Sequence, residues 1–79
     1  FDFLELVKRW PLIVGPKMAA VTSPLKIQSD SLFIVTKNPA YSHELSYLSE
    51  EIKVQIFKEF PKLKPVIKKL SFKTQEHFF

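Results

Sequence analysis

The chain has 79 residues, of which 46% are hydrophobic and 25% charged, with a net charge of +4 and no cysteine. This length allows one domain with a small core, and the composition is that of a folded protein rather than a disordered one. The lack of cysteine excludes a disulfide scaffold, a thiolate metal site and a cysteine nucleophile; it is typical of a reducing compartment, so we expect a cytoplasmic protein. No apolar run has the length of a membrane span. Because the chain opens on Phe1, we expect residues 1–79 to be a single domain from a longer protein, with 75–79 as a tail.

The first segment, residues 2–21, predicts an interrupted helix. Its apolar residues recur at spacings of three and four, which places them on one helical face. Pro11 and the pair Gly15-Pro16 interrupt the pattern, since proline cannot donate a backbone hydrogen bond inside a helix. We predict a bent helix anchored by a buried Trp10, with Gly15 allowing a close backbone approach at the bend. The predicted stripe is Phe3, Val7, Trp10, Val14, Met18 and Val21.

Residues 24–37 predict a β-hairpin. Leu25 and Ile27 alternate with Lys26 and Gln28, which is the pattern of a strand with one face in water. The polar run 29–31 is turn-forming, and the nearly continuous apolar run after it indicates a more central strand.

Residues 38–60 predict the longest helical segment. Asn38 is a favourable N-cap, and Pro39 suits the first helical position. Ser46 and Ser49 allow a bend, so the segment is expected to be one helix or two in succession, ended by Pro61. Its apolar stripe is Tyr41, Leu45, Leu48, Ile52, Ile56 and Phe60.

A linker at 62–64 leads to a last strand within residues 66–74. Leu70 and Phe72 are expected to point inward, and Lys69 and Lys73 outward. The resulting order, α-β-β-α-(α)-β, predicts an α+β fold with helices on one face of a small three-stranded sheet.

Positive charge is concentrated in residues 52–75, where seven lysines and one acid, Glu59, give a net charge of +6. This indicates an anionic partner such as nucleic acid, an acidic protein surface or anionic lipid, although a solvated lysine face is an equally ordinary explanation. Aromatic side chains can add base stacking, but at helical or strand spacing they are more often core; the candidates are Phe33, Tyr41, Tyr47, Phe57 and Phe60. The candidate nucleic-acid-binding residues are Lys62, Lys64, Lys68, Lys69, Lys73, Lys37, Lys26, Lys8 and Arg9.

Residues that could carry catalysis are poorly placed. His43-Glu44 begins a zinc-protease pattern, but Tyr47 occupies the position that needs a second histidine, and His77 is remote in sequence. A single glycine excludes a glycine-rich phosphate loop, and no histidine is placed to activate a serine. We therefore expect no enzymatic activity, metal, cofactor or small-molecule substrate.

A dispersed set of motif residues consists of Trp10, Val14, Gly15, Thr22, Pro24, Tyr41, Glu44 and Leu45, with small residues 18–20 and Leu48 beside them. This set resembles the DciA family of bacterial replicative-helicase loaders. The resemblance spans about residues 3–74. The sequence departs from the family at Val21, where histidine is frequent, at Tyr41, where tryptophan is frequent, and in the hairpin turn, where glycine is frequent.

The resemblance implies a KH-like domain of the second topological type, the replicative DNA helicase as a partner, and affinity for single- or double-stranded DNA. True KH domains clamp the nucleic-acid backbone with a G-x-x-G loop, which one glycine cannot provide. Binding through lysines would be weakly sequence-specific and salt-dependent. Two alternatives remain open: a protein-interaction module without nucleic-acid binding, and a KH-like RNA-binding domain.

Overall fold

A computed structural model describes residues 3–74, so the predicted tail at 75–79 lies outside the described residues. The predicted order of elements is confirmed, with the first helix divided into three short pieces and the long helix into two. The elements are α1 (Phe3–Lys8), α2 (Trp10–Val14), α3 (Pro16–Ala19), β1 (Thr22–Gln28), β2 (Ser31–Thr36), α4 (Pro39–Tyr47), α5 (Ser49–Glu59), a 3₁₀ helix (Pro61–Leu63) and β3 (Lys69–Thr74).

The three strands form one mixed sheet with β2 in the centre. β1 runs antiparallel to β2 through a two-residue turn, in which Ser29 has a positive φ of 58°. β3 runs parallel to β2, with Ser31 opposite Lys69. The backbone carbonyl of Asp30 accepts hydrogen bonds from the amides of Lys68 and Lys69, at 2.7 and 3.1 Å, and so fixes where β3 begins. The fold is therefore α+β, as predicted.

Trp10 ties the N-terminal helices to the sheet. Its side chain is only 2% exposed, and its indole Nε1 donates a hydrogen bond of 2.9 Å to the Thr22 hydroxyl at the start of β1. That hydroxyl donates in turn to the backbone carbonyl of Met18, at 2.7 Å. Because a buried indole N–H needs a partner, this relay lets the large ring be buried without loss of a hydrogen bond. The predicted role of Trp10 as an anchor is confirmed.

Two details of the predicted N-terminal helix are wrong. Val7 is 38% exposed and Leu6 is the fully buried residue, because the buried stripe runs through Leu6, Trp10 and Ile13, at spacings of four and three. A side chain at Gly15 would meet no atom within 4 Å, so this glycine does not serve a close approach. Its φ of +91° is the reason for glycine, since residues with a Cβ rarely adopt that conformation.

The long helical segment begins as predicted and breaks one residue before Ser49. The Asn38 side chain accepts hydrogen bonds from the amides of Ala40 and Tyr41, at 3.0 and 3.4 Å, and caps α4. The break falls at Leu48, which is 41% exposed although the stripe predicted it to be buried. A helix that changes direction at Leu48 no longer holds that side chain in line with its neighbours.

The segment between α5 and β3 contributes to the core, so its prediction as a linker is wrong. Leu63 in the 3₁₀ helix and Ile67 before β3 are both buried. The strand starts at Lys69, later than the predicted range that opens at residue 66, and Val66 is 43% exposed. The core comprises Leu6, Trp10, Ile13, Leu32, Ile34, Leu45, Ile52, Ile56, Leu63 and Ile67, with Leu70 and Phe72 packed against it as predicted. No helix within residues 3–74 is long and apolar enough to cross a membrane.

Candidate nucleic-acid interface

The sheet has one face toward the helical core and a second face that we call the outer face. Side chains alternate along a strand, so the fully buried Leu32 and Ile34 of β2 point into the core and Phe33 between them points outward. Across the sheet, Phe33 is opposite Lys26 of β1 and Ser71 of β3. The register assigns these residues to the outer face: Lys26, Gln28, Ser31, Phe33, Val35, Lys69, Ser71 and Lys73.

Phe33 lies at the centre of the outer face between two lysines. The Lys73 Nζ is 5.0 Å from the centroid of its ring, and the Lys26 Nζ is 5.4 Å from it. The negative π-face of the ring attracts both ammonium groups, at about 0.5–1 kcal/mol for an exposed contact. The two edge strands thus bring two cations to one aromatic ring on the central strand.

Within residues 3–74, the strands of the outer face carry lysines but no acid, and the carboxylate of Asp30 lies at the hairpin end of the face, where it accepts a hydrogen bond of 3.5 Å from the Ser31 hydroxyl. The three strands contain Lys26, Lys69 and Lys73 and no aspartate or glutamate. Within residues 3–74, no ion pair joins any of these lysines to an acid. Three lysines without an ion-pair partner outnumber this one carboxylate, so the face has a local positive potential that attracts polyanions.

Lys8 and Arg9 lie on the helical side and are paired with acids. The Arg9 guanidinium is 3.7 Å from the Glu5 carboxylate and 3.6 Å from that of Glu59, and it also lies over the Phe60 ring. The Lys8 ammonium is 4.0 Å from Glu5. The structure does not bring these two predicted residues to the outer face.

The other predicted lysines are distributed around the sheet. Lys62 lines a surface groove together with Lys26, which places it beside the outer face. Lys68 and Lys64 are exposed on the approach to β3, and Lys68 is held near the hairpin turn by its hydrogen bond to Asp30. Lys37 follows β2 at the opposite end of the sheet. Of the predicted set, Lys26, Lys69 and Lys73 share the outer face, with Lys62 next to them.

The groove is an apolar feature that the sequence did not reveal. It has a volume of about 520 Å³ and opens beside the edge of β1. Three segments distant in sequence form it, so no local pattern could have indicated it. Its lining consists of Phe3, Leu25, Lys26, Ile27, Lys62, Leu63 and Val66.

The remaining candidate aromatics lie elsewhere. Phe57 and Phe60 pack against the core. Tyr47 is 77% exposed, and its hydroxyl lies 3.2 Å from the His43 Nε2 on the same turn of α4. Among residues 3–74, no three His, Asp or Glu side chains are arranged to hold a metal ion; His77 lies outside that range.

The family model described as Dna[CI] antecedent, DciA matches residues 1–72. The chain belongs to the DciA family. This confirms the resemblance seen in the motif residues, and it connects the chain to a family of non-catalytic accessory proteins associated with loading of the replicative DNA helicase. No curated protein sequence matches the chain.

The motif residues of this DciA-family chain form contacts between the helices and the sheet. Trp10 and Thr22 are hydrogen-bonded to each other, and Pro24 and Leu45 are buried. A second group surrounds a surface cavity of about 490 Å³ between α3 and α4, lined by Lys17, Met18, Val21, Tyr41 and Glu44. The residues that match the family motif are therefore not the lysines of the outer face, and they lie elsewhere in the fold.

Proposed function

We propose that this chain is an accessory domain of DNA replication that binds the replicative helicase and contacts DNA through its outer face. The single observation that carries the DNA contact is the position of Lys26 and Lys73 on either side of Phe33, in strands that contain no aspartate or glutamate. Helicase binding is inferred from membership of the DciA family. Lysines act on DNA as point charges for phosphates, so the contact has weak sequence specificity.

The topology supports a KH-like domain of the second type. The order α-β-β-α-α-β and the parallel pairing of β2 with β3 agree with it. The G-x-x-G clamp of a true KH domain would lie between two helices, but the junction of α4 and α5 reads Tyr47-Leu48-Ser49 and contains no glycine. DNA binding in this chain therefore relies on the lysine side chains of the sheet.

A titration of labelled single- and double-stranded DNA at several salt concentrations tests the DNA contact. We expect affinity at low salt that falls steadily as salt rises, because bound phosphates release counterions. Replacing Lys26 and Lys73 together by glutamine should reduce the slope of log affinity against log salt by about 1.4–1.8, the value for two lost phosphate contacts. The loss should be similar for all DNA sequences.

The matched control is the double change Lys17→Gln and Lys58→Gln, which removes the same charge from two exposed helical positions. If both double variants reduce the slope equally, net charge rather than the outer face explains the binding. Absence of binding at low salt, or binding that does not respond to salt, would refute the DNA contact. A preference for RNA over DNA of the same sequence would favour the RNA-binding alternative.

A second candidate function is a protein-interaction module that does not bind DNA. The apolar groove favours it, because Lys26 and Lys62 at its wall would meet acidic residues that flank an apolar segment of a partner. Helicase capture and a DNA shift assay on the same preparation separate the two functions. Capture of helicase without any shift would support this second candidate.

A further inference from the structure

We infer that Phe33 is a stacking platform for one base of single-stranded DNA, with Lys26 and Lys73 binding the phosphates on either side of that base. This inference rests on the proposed DNA contact and specifies its ligand. It rests on three observations: Phe33 lies outside the core cluster, two lysines lie over its ring, and these lysines have no acidic partner within residues 3–74.

Phe33 is not a core residue, in contrast to the other phenylalanines that the structure describes. Phe3, Phe57, Phe60 and Phe72 all pack against the buried cluster, whereas Phe33 is partly exposed on the opposite face of the sheet. The ring lies in the middle of a face that also bears lysines, serines, Gln28 and the buried Val35, and it is not part of the core cluster. The ammonium groups of Lys26 and Lys73 lie over the ring, and a planar ligand that displaces them can stack on it as a nucleobase does.

The two lysines indicate that the ligand is negatively charged. Both ammonium groups lie within 5.4 Å of the ring centroid and have no acidic partner within residues 3–74. Their contact with the ring is weak and exchangeable at an exposed site. A ligand that offers one aromatic ring and an anion on each side of it can replace these contacts by stacking on Phe33 and by charge-assisted bonds to both lysines. A nucleotide within a strand has this composition.

The single-stranded form follows from the geometry of stacking. In a duplex, each base is already stacked on its neighbours, so its π-face is closed to a side chain on a sheet surface. An unpaired base can be laid on the ring, and because every base has a π-face, the site tolerates all sequences. Double-stranded DNA can use the lysines alone.

Phe33→Ile tests the platform, because isoleucine keeps an apolar, strand-favouring side chain and removes the ring. In a titration with the wild-type chain as reference, we expect single-stranded DNA to bind roughly 5- to 150-fold more weakly, the range measured for loss of one base–aromatic stack. Duplex affinity should change less than about twofold and the salt slope should stay as it is, since the lysines remain. Phe33→Trp should bind single strands as well as the wild type does. Tyr47→Leu, at an exposed aromatic on α4, is the control and should change neither affinity.

Equal weakening for single and double strands, or no weakening for single strands, would overturn the platform while leaving the lysine contact intact. Absence of binding by the wild type would overturn both. If Phe33→Ile does not fold, photocrosslinking of the wild-type chain to an oligonucleotide containing 5-iodouracil gives the answer. An adduct at Phe33 supports stacking, and adducts only at other positions contradict it.

Discussion

The central strand β2 contributes side chains to both faces of the sheet, but the two faces differ in what those side chains contact. Leu32 and Ile34 on the inner face meet helical side chains and are fully buried, whereas Phe33 between them meets lysines. β2 alone is apolar on both sides, so its own sequence does not make the difference. The edge strands make it: β3 supplies Leu70 and Phe72 to the inner face and Lys69 and Lys73 to the outer one. The properties of a face are thus decided by the neighbours of the central strand.

The largest expected effect comes from removing the anchor of the inner face. Trp10→Ala should lower the free energy of unfolding by about 3–5 kcal/mol, because it leaves a cavity and removes the hydrogen bond to Thr22. Urea denaturation followed by far-ultraviolet circular dichroism measures this without relying on tryptophan fluorescence. Trp10→Phe is the matched control and should cost less. Unchanged unfolding together with lost helicase binding would instead make Trp10 a partner contact.

Ile34 and Phe33 are adjacent on β2 but lie on opposite faces of the sheet, so substitutions at these two residues compare the faces most directly. Ile34→Ala should lower the free energy of unfolding by about 2–5 kcal/mol, since the fully buried side chain leaves a cavity. Phe33→Ile should cost less than about 1 kcal/mol, because it is a substitution outside the core cluster. Both values come from denaturant titrations of the two variants in parallel. If the costs were equal, Phe33 would be a packing residue and the two faces would be structurally alike.

The smallest effect on stability is expected from the outer-face lysines. Replacing Lys26, Lys69 and Lys73 together by glutamine should leave the free energy of unfolding within about 1 kcal/mol of the wild type. Loss of the two contacts with the Phe33 ring lowers stability and relief of like-charge repulsion raises it, so the two effects oppose each other, and the repulsion should diminish as salt screens it. Thermal melts at two salt concentrations measure it. A larger loss of stability would show that the lysine stems pack on the sheet.

The sequence was most informative where local chemistry decides the structure. The cap at Asn38, the order of the elements and the inward direction of Leu70 and Phe72 follow from side-chain properties within a few residues. The family was also accessible, because motif residues such as Trp10 and Thr22 hold the helices on the sheet and are recognisable along the chain.

The rest depended on contacts between distant segments. Leu48 was misplaced because helical periodicity assumes an unbroken axis and Leu48 lies at a break. Val7 was misplaced because Leu6 and Val7 both stand at helical spacing from Trp10, so periodicity alone could not choose between them. The run from Leu32 to Val35 is apolar at every position, so alternation alone could not tell which side faces the helices. The position of Phe33 between two lysines required the register of all three strands, and that of β3 depends on the Asp30 carbonyl.

The parallel pairing of β3 has a consequence for the order in which the outer face forms. Lys26 meets Phe33 through a two-residue turn, a contact of the kind that hairpins make within microseconds. Lys73 reaches the same ring from 40 positions along the chain (73 − 33), after α4, α5 and the 3₁₀ helix. Closing so long a loop costs more chain entropy and is slower. One side of the ring therefore acquires its cation early in folding, and the other side is completed only when the last strand docks.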